Sequence, residues 1–190
     1  ESFLAEQIQA WEEGLPENIK LAYLPSLGMV KLRLTIRGKR SEELQIPLER
    51  EFEQLQSLVK ANLMCVGDYS PEQALANVLI AKNGSIALAE SCTGGLIQSK
   101  LISIAGSSAY VRGGVVAYHN DLKQSMLGVK ESTLNEAGAV SEECVREMCL
   151  GVMERLNSDY GISVSGIAGP TGGSAEKPVG GFLKAQIALT

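Results

Sequence analysis

Ser91 stands where an apolar run, Ser85 to Ala89, gives way through Glu90 to a Thr93-Gly94-Gly95 turn. Leu96, Ile97, Leu101 and Ile104 then follow at helical spacing, so the stretch reads as strand, tight turn, helix. A serine at a strand-to-helix turn has the geometry of a nucleophile elbow, although the GxSxG pattern itself is absent. A serine nucleophile needs a base, and two candidates follow in the chain. One is His119, the only histidine. In a strand Gly114–Tyr118 running on to His119, the side chains of Tyr118 and His119 would point to opposite faces. The other is Lys123. To act as a base, a lysine must fall from a pKa of about 10.4 to about 7–8, which asks ~4 kcal/mol of burial and positive potential. Serine/lysine hydrolases show that this is attainable. The plain alternatives are a lysine opening a surface helix, and an ordinary turn at Ser107, Ser108 and Tyr110.

A second glycine-rich loop runs from Ser165 through Gly166, Gly169 and Gly172 to Gly173 and Ser174, again after an apolar run. Backbone amides at such turns point outward and suit an anion or a developing oxyanion. Neither loop is a Walker loop or a GxGxxG fingerprint, but two in one domain point to a phosphate-bearing ligand. The four cysteines (Cys65, Cys92, Cys144, Cys149) form no CxxC pair. They read as reduced thiols, and with one histidine they make a zinc site improbable. A net charge of −5 argues against a general nucleic-acid surface, and no run of about 18 apolar residues spans a membrane.

These groups need a scaffold, and with 45% apolar and 21% charged residues the chain can build one. Residues 1–14 predict an amphipathic helix with Phe3, Leu4, Ile8 and Trp11 on one face. Ile19–Leu24 and Met29–Arg37 predict a hairpin, the second run alternating Val30, Leu32, Leu34 and Ile36 with polar residues. Residues 48–63 predict a second helix, which closes a small α+β unit over residues 1–66. The basic face of its hairpin could suggest RNA; a solvated sheet face is the simpler reading. Ser70 caps a helix opening at Pro71, with Leu75, Val78, Leu79 and Ile80 as its buried face. Beyond the opening stretch come short helices ending at Gly128 and Gly138. A longer helix follows, capped by Ser141 and burying Val145, Met148, Cys149, Val152, Met153 and Leu156. Gly161–Val164 and the run from Val179 onward are strands. From residue 67 strands and helices alternate, which predicts a three-layer α/β/α domain over residues 67–190 with ligand loops at strand ends. The stop at Thr190 inside an apolar run predicts a piece of a longer protein.

The motifs AESCTGG (Ala89 to Gly95), AGSSAY (Ala105 to Tyr110), GVVAYHNDLK (Gly114 to Lys123), GAVSE (Gly138 to Glu142) and SGIAGPTGG (Ser165 to Gly173) occur in this order. Together they resemble the C-terminal domain of the competence/damage-inducible (CinA) family, whose stand-alone relatives are nicotinamide mononucleotide deamidases. Residues 1–66 resemble that family's KH-type linking domain. The resemblance implies hydrolysis of the carboxamide of nicotinamide mononucleotide to nicotinate mononucleotide and ammonia, in NAD recycling, without metal or cofactor. It implies Ser91 as nucleophile, with Ser108 the other candidate. Lys123 would be base and then acid, while Tyr118 and Ser108 orient and relay protons. Amides at Cys92, Thr93, Gly94 and Gly95 would hold the oxyanion. Ser165, where many members carry threonine, would contact substrate together with Gly166, Gly169, Gly172 and Gly173. Members continue into an arginine-bearing segment expected to help hold the phosphate, beyond Thr190. The expected partners are the nucleotide and a second copy of the chain in a dimer, with neither membrane nor nucleic acid, in the cytoplasm. The rival reading is a nucleotide-binding regulatory or partner module.

Overall fold

A computed structural model describes residues 2–26, 28–39 and 41–188. The chain divides into two compact units, Glu1–Val66 and Gly67–Thr190.

In the first unit, helix α1 (Ser2–Glu13), strands β1 (Ile19–Ser26) and β2 (Met29–Ile36), and helix α2 (Ser41–Leu58) surround a core of Ile8, Leu55 and Val59. β1 and β2 pair antiparallel from Ile19–Ile36 to Ser26–Met29. Val30, Leu32, Leu34 and Ile36 are half-buried and Lys31, Arg33 and Thr35 are exposed, as the alternation in β2 predicts. The helices depart from expectation at two points. Phe3 is exposed rather than packed with Leu4, Ile8 and Trp11. α2 begins at Ser41 and carries Pro47 inside it, earlier than the spacing from Leu48 predicts; Leu63 lies beyond its end, exposed.

In the second unit, α3 (Pro71–Ala81), β3 (Ile86–Glu90), α4 (Leu96–Ile102), β4 (Val111–Val116), α5 (Asn120–Leu127), α6 (Glu131–Glu136), α7 (Glu142–Leu156), β5 (Tyr160–Gly166) and β6 (Phe182–Ala188) follow in turn. The sheet order is β4-β3-β5-β6. β3 is parallel to both neighbours, and β6 closes the sheet antiparallel to β5. Every residue of β3 is buried, which is why Ile86 to Ala89 form a continuous apolar run rather than an alternation. Ala87 and Ala89 join Leu127, Cys144, Met148 and Val152 on one face. Ile86 and Leu88 join Ala76, Leu79 and Leu101 on the other. Helices α5 and α7 thus cover one face of the sheet, α3 and α4 the other.

Ser70 and Ser141 cap α3 and α7 through hydrogen bonds from the Gln73 and Cys144 amides, worth about 1 kcal/mol each. The buried face of α3 is Ala74, Ala76 and Leu79, while Val78 and Ile80 are each 50% exposed. Ala76 and Leu79 pack with Ile86, Leu88 and Leu101, which leaves Val78 and Ile80 on the outer side. β4 begins earlier than expected and ends at Val116. At a sheet edge Arg112 can point to solvent, so a charged residue does not interrupt the strand. Tyr118 and His119 therefore lie past it, and His119 is the exposed N-cap of α5, accepting from the Asp121 amide. That role, rather than strand alternation, keeps His119 out of the core. α5 and α7 approach closely at Gly151, where a methyl group would coincide with the Leu127 carbonyl oxygen.

Candidate active site

The carboxyl ends of β3 and β5 lie side by side, and in a sheet whose strand order turns outward from such a point ligands gather there. The Ser91 amide extends the pairing by donating to the Val164 carbonyl at 3.0 Å. Ala117, just past β4, donates to the Glu90 carbonyl at 2.8 Å. Ser91 is thus held between the ends of two strands, buried at 6% exposure, with Ser165 at the end of β5 beside it.

Glu90 and Ser91 alternate across the sheet. Glu90 turns to the α4 side, where Oε2 accepts from the Gly95 and Ile97 amides at 3.0 and 3.1 Å and Oε1 from Gln98 at 2.7 Å. Helix α4 begins after Gly95, whose φ of 96° suits glycine and which offers no capping side chain. The carboxylate supplies the cap instead, and its charge opposes the positive end of the helix. The Gly94 amide donates to the Ser91 carbonyl at 3.1 Å. The oxyanion role expected of the amides from Cys92 to Gly95 therefore narrows: Gly94 and Gly95 are committed, and Cys92 and Thr93 remain, with the Cys92 sulfur beside both amides.

On the α5 side lies Lys123. It is the fourth residue of its helix and only 1% exposed, so it does not open a surface helix. Its Nζ donates to the Ala117 carbonyl at 2.9 Å and the Tyr118 carbonyl at 3.1 Å. Because Ala117 is itself paired to Glu90, the amine is brought to the strand end that carries Ser91. Among the described residues no carboxylate forms an ion pair with it, and no hydrogen bond joins it to Ser91 Oγ. Burial pushes the Lys123 pKa down, with the neighbouring Cys144 and Cys92 opposing weakly. Burial also pushes the Cys92 and Cys144 thiols up, which keeps both protonated and poor nucleophiles near neutrality.

The remaining residues divide. Ser165 is buried and donates Oγ to the Ala139 carbonyl at 2.7 Å, leaving its lone pairs as acceptors. Tyr118 lies at the same rim with its side chain 77% exposed. Ser108 is not brought to them. It is exposed, in a single 3-10 turn (Ser107–Ala109) before β4. Val111 pairs with Ile86 at the start of β3, so Ser108 and Ser91 lie at opposite ends of the strands, roughly 15 Å apart along them.

Gly166 to Gly173 form a loop after β5, its return secured by Gly180 donating to the Ile167 carbonyl and Ile167 to that of Gly181. Two cavities flank this segment. The first, about 420 Å³, has Cys92, Thr93, Ile97, Val164, Phe182 and Lys184 in its walls. The second, about 370 Å³, includes Ser141, Glu143, Glu176 and Lys177. Among the described residues, Thr93 Oγ1 is the one buried side-chain polar atom without a hydrogen-bond partner, and no group of three or more His, Cys, Asp or Glu converges to hold a metal. No described helix is long and apolar enough to cross a membrane.

Sequence reading missed Glu90, which had a visible signal, an acidic residue ending an otherwise apolar strand before Gly94-Gly95.

The model of the CinA C-terminal domain matches residues 68–186. A CinA-like protein of Chlorobium limicola is 43% identical over 180 residues, which are 95% of this chain and 42% of that protein. One from Cytophaga hutchinsonii is 44% identical over 180 residues, 95% of this chain and 43% of that protein. The chain spans less than half the length of these relatives. The crystal structure of the competence/damage-inducible protein CihA from Agrobacterium tumefaciens aligns with a TM-score of 0.60 at 45% identity, covering 62% of this chain and 71% of that one. A CinA superfamily protein from Escherichia coli aligns at 0.57 and 28% identity, covering 70% and 86%. With the family model matching residues 68–186 and relatives above 40% identical over 95% of its length, the chain belongs to the CinA C-terminal domain family.

Proposed function

We propose that the second unit is an amidohydrolase that converts nicotinamide mononucleotide to nicotinate mononucleotide and ammonia. One observation carries the chemistry: a lysine amine buried at the strand end beside Ser91 and hydrogen-bonded only to two carbonyls. A neutral amine has two N–H groups and one lone pair. The carbonyls of Ala117 and Tyr118 take the first two and leave the third for a proton. Burial without a carboxylate partner favours this neutral form.

Ser91 Oγ attacks the carboxamide carbon and passes its proton to Lys123 Nζ. The carbonyl oxygen becomes an oxyanion facing the Cys92 and Thr93 amides, each worth roughly 3 kcal/mol in the transition state. The Lys123 ammonium protonates the departing nitrogen, which leaves as ammonia with cleavage of the C–N bond. Water, deprotonated by the again neutral Lys123, then hydrolyses the acyl-serine and restores Ser91. Tyr118, at the rim, lies against the substrate. The set favours catalysis over a nucleotide-binding regulatory module, because simple binding does not require an unpaired buried lysine. Cytoplasmic location, a homodimer and a KH-type linking role for the first unit belong to the same proposal.

The test is ammonia release from nicotinamide mononucleotide by the wild type, Ser91→Ala and Lys123→Ala. Turnover is expected only in the wild type. Substrate binding without turnover by the chain in its full-length context would favour the regulatory module, and full activity of Ser91→Ala would move the nucleophile to another residue.

A further inference from the structure

Five successive backbone amides follow Thr93, and each is already committed within the turn. Gly94 donates to the Ser91 carbonyl at 3.1 Å and Leu96 to the Thr93 carbonyl at 3.0 Å. Gly95, Ile97 and Gln98 donate to the Glu90 carboxylate at 3.0, 3.1 and 2.7 Å. The Cys92 and Thr93 amides, by contrast, donate to no oxygen among the described residues.

Glu90 caps its helix from a distance. Helices α3 and α7 are capped by the hydroxyls of Ser70 and Ser141, each one residue before the helix, which is the ordinary arrangement. At α4 that position is Gly95, whose φ of 96° disfavours a side chain. The cap comes instead from the end of β3, from a carboxylate only 1% exposed, and its reach ties the far end of the turn to its start. The start is itself fixed to the sheet, by the Ser91 amide on the Val164 carbonyl and the Ala117 amide on the Glu90 carbonyl. Residues 91–94 are therefore a short loop pinned at both ends, with Cys92 and Thr93 at its middle. All three partners of Glu90 are donors and both its oxygens accept. A carboxylate satisfies them all. Glutamine has one oxygen and would turn an NH2 group toward a remaining N–H.

We infer that Glu90 is a positioning residue for the proposed hydrolysis: by closing the turn it holds the Cys92 and Thr93 amides where the oxyanion forms. It touches neither the substrate nor Ser91 Oγ, because alternation in β3 sends the two side chains to opposite faces of the sheet. Donors to an oxyanion act only within hydrogen-bond distance, and a displacement of about 1 Å costs ~100-fold in rate. The inference rests on the amidase reading for the reaction, while the closed turn stands on the hydrogen bonds alone.

Ammonia release from nicotinamide mononucleotide tests this in the wild type, Glu90→Gln, Glu90→Asp and Ser70→Ala, which removes the cap of α3 instead, with the folded fraction of each taken from urea unfolding. Glu90→Gln is expected to lower kcat by ~100-fold with KM within ~3-fold of the wild type. Glu90→Asp keeps the charge on a shorter arm and should lower kcat by ~10-fold, and Ser70→Ala by less than ~2-fold. An unaltered kcat in Glu90→Gln, a loss confined to KM, or a loss that Ser70→Ala matches at equal folded fraction overturns the inference. If Glu90→Gln does not fold, Glu90→Asp decides, and a kcat equal to that of the wild type overturns it. Labelling by a fluorophosphonate gives a readout without nucleotide: Ser91 Oγ bonds to phosphorus, fluoride leaves, the serine proton passes to Lys123, and the phosphonyl oxygen takes the oxyanion's place. A chain that releases no ammonia yet is labelled at Ser91, and more slowly in both Glu90 variants, refutes the amidase reading and upholds the positioning role. Ammonia release without dependence on Glu90 does the reverse, and equal labelling rates in the wild type and Glu90→Gln also overturn it.

Discussion

The two glycine-rich turns of the second unit look alike in sequence, each following an apolar strand, yet the structure uses them oppositely. At the first, Glu90 consumes the α4 amides, so the turn is filled by the chain's own carboxylate before any ligand arrives. At the second, the loop from Gly166 to Gly173 leads into the return to β6 that both cavities border. The difference shows that a glycine-rich turn is an anion site only if no acidic side chain reaches it first. On the proposed amidase reading it also separates the tasks: the first turn places the nucleophile, and the space beside the second is open to a substrate.

The sharpest way to break this division is at Lys123. Lys123→Met is expected to lower kcat by roughly 10⁴-fold or more, measured by ammonia release. In the wild type, activity should fall as pH drops through the depressed Lys123 pKa, since protonation removes the base. A flat profile from about pH 5 to 9 with chemistry rate-limiting would refute a lysine base. Folding should show the same group. Between the depressed folded value and the ordinary value of about 10.4, the unfolded chain holds one more proton than the folded one. Stability therefore rises with pH across that window, and Lys123→Met should remove that part of the slope in denaturant titrations at several pH values.

The first turn is tested by Glu90→Ala. It leaves three amides unpaired and should cost about 2–4 kcal/mol in urea unfolding; a loss below ~0.5 kcal/mol would mean that the carboxylate is not what seats α4. Gly151→Ala forces α5 away from α7 and should cost about 1–3 kcal/mol, with a loss of activity because Lys123 rides on α5. Ser165→Ala removes the bond to the Ala139 carbonyl and should cost about 1 kcal/mol of stability. A far larger effect on KM than on stability would mark Ser165 as a substrate contact as well.

Much of this was legible in the sequence, for physical reasons that can be named. The caps at Ser70 and Ser141, the alternation in β2 and the i, i+3, i+4 spacing of α7 are local signals, and the structure follows them. The family resemblance rested on motif order, and the matched relatives support it. What sequence left open depends on long-range pairing. Strand order and the antiparallel β6 cannot be read from runs of apolar residues. The buried face of α3 depends on which of its side chains meet Ile86, Leu88 and Leu101. Ser108 reads as near Ser91 because only the α4 segment separates them in sequence, but parallel strands require a crossover, and that crossover carries it to the far end. The residues alone leave Lys123 open between a buried base and a lysine on a surface helix until α5 is seen packed on α7.

The alternation of side chains in β3 has a consequence for charge. Glu90 and Lys123 approach the same point of the chain from opposite faces of the sheet, and among the described residues neither a hydrogen bond nor an ion pair joins them. The backbone of β3 keeps apart an acid and a base that would otherwise pair. Shift the carboxylate by one residue and it would face the amine, hold it as an ammonium, and leave a well-folded protein with nothing to take the proton from serine.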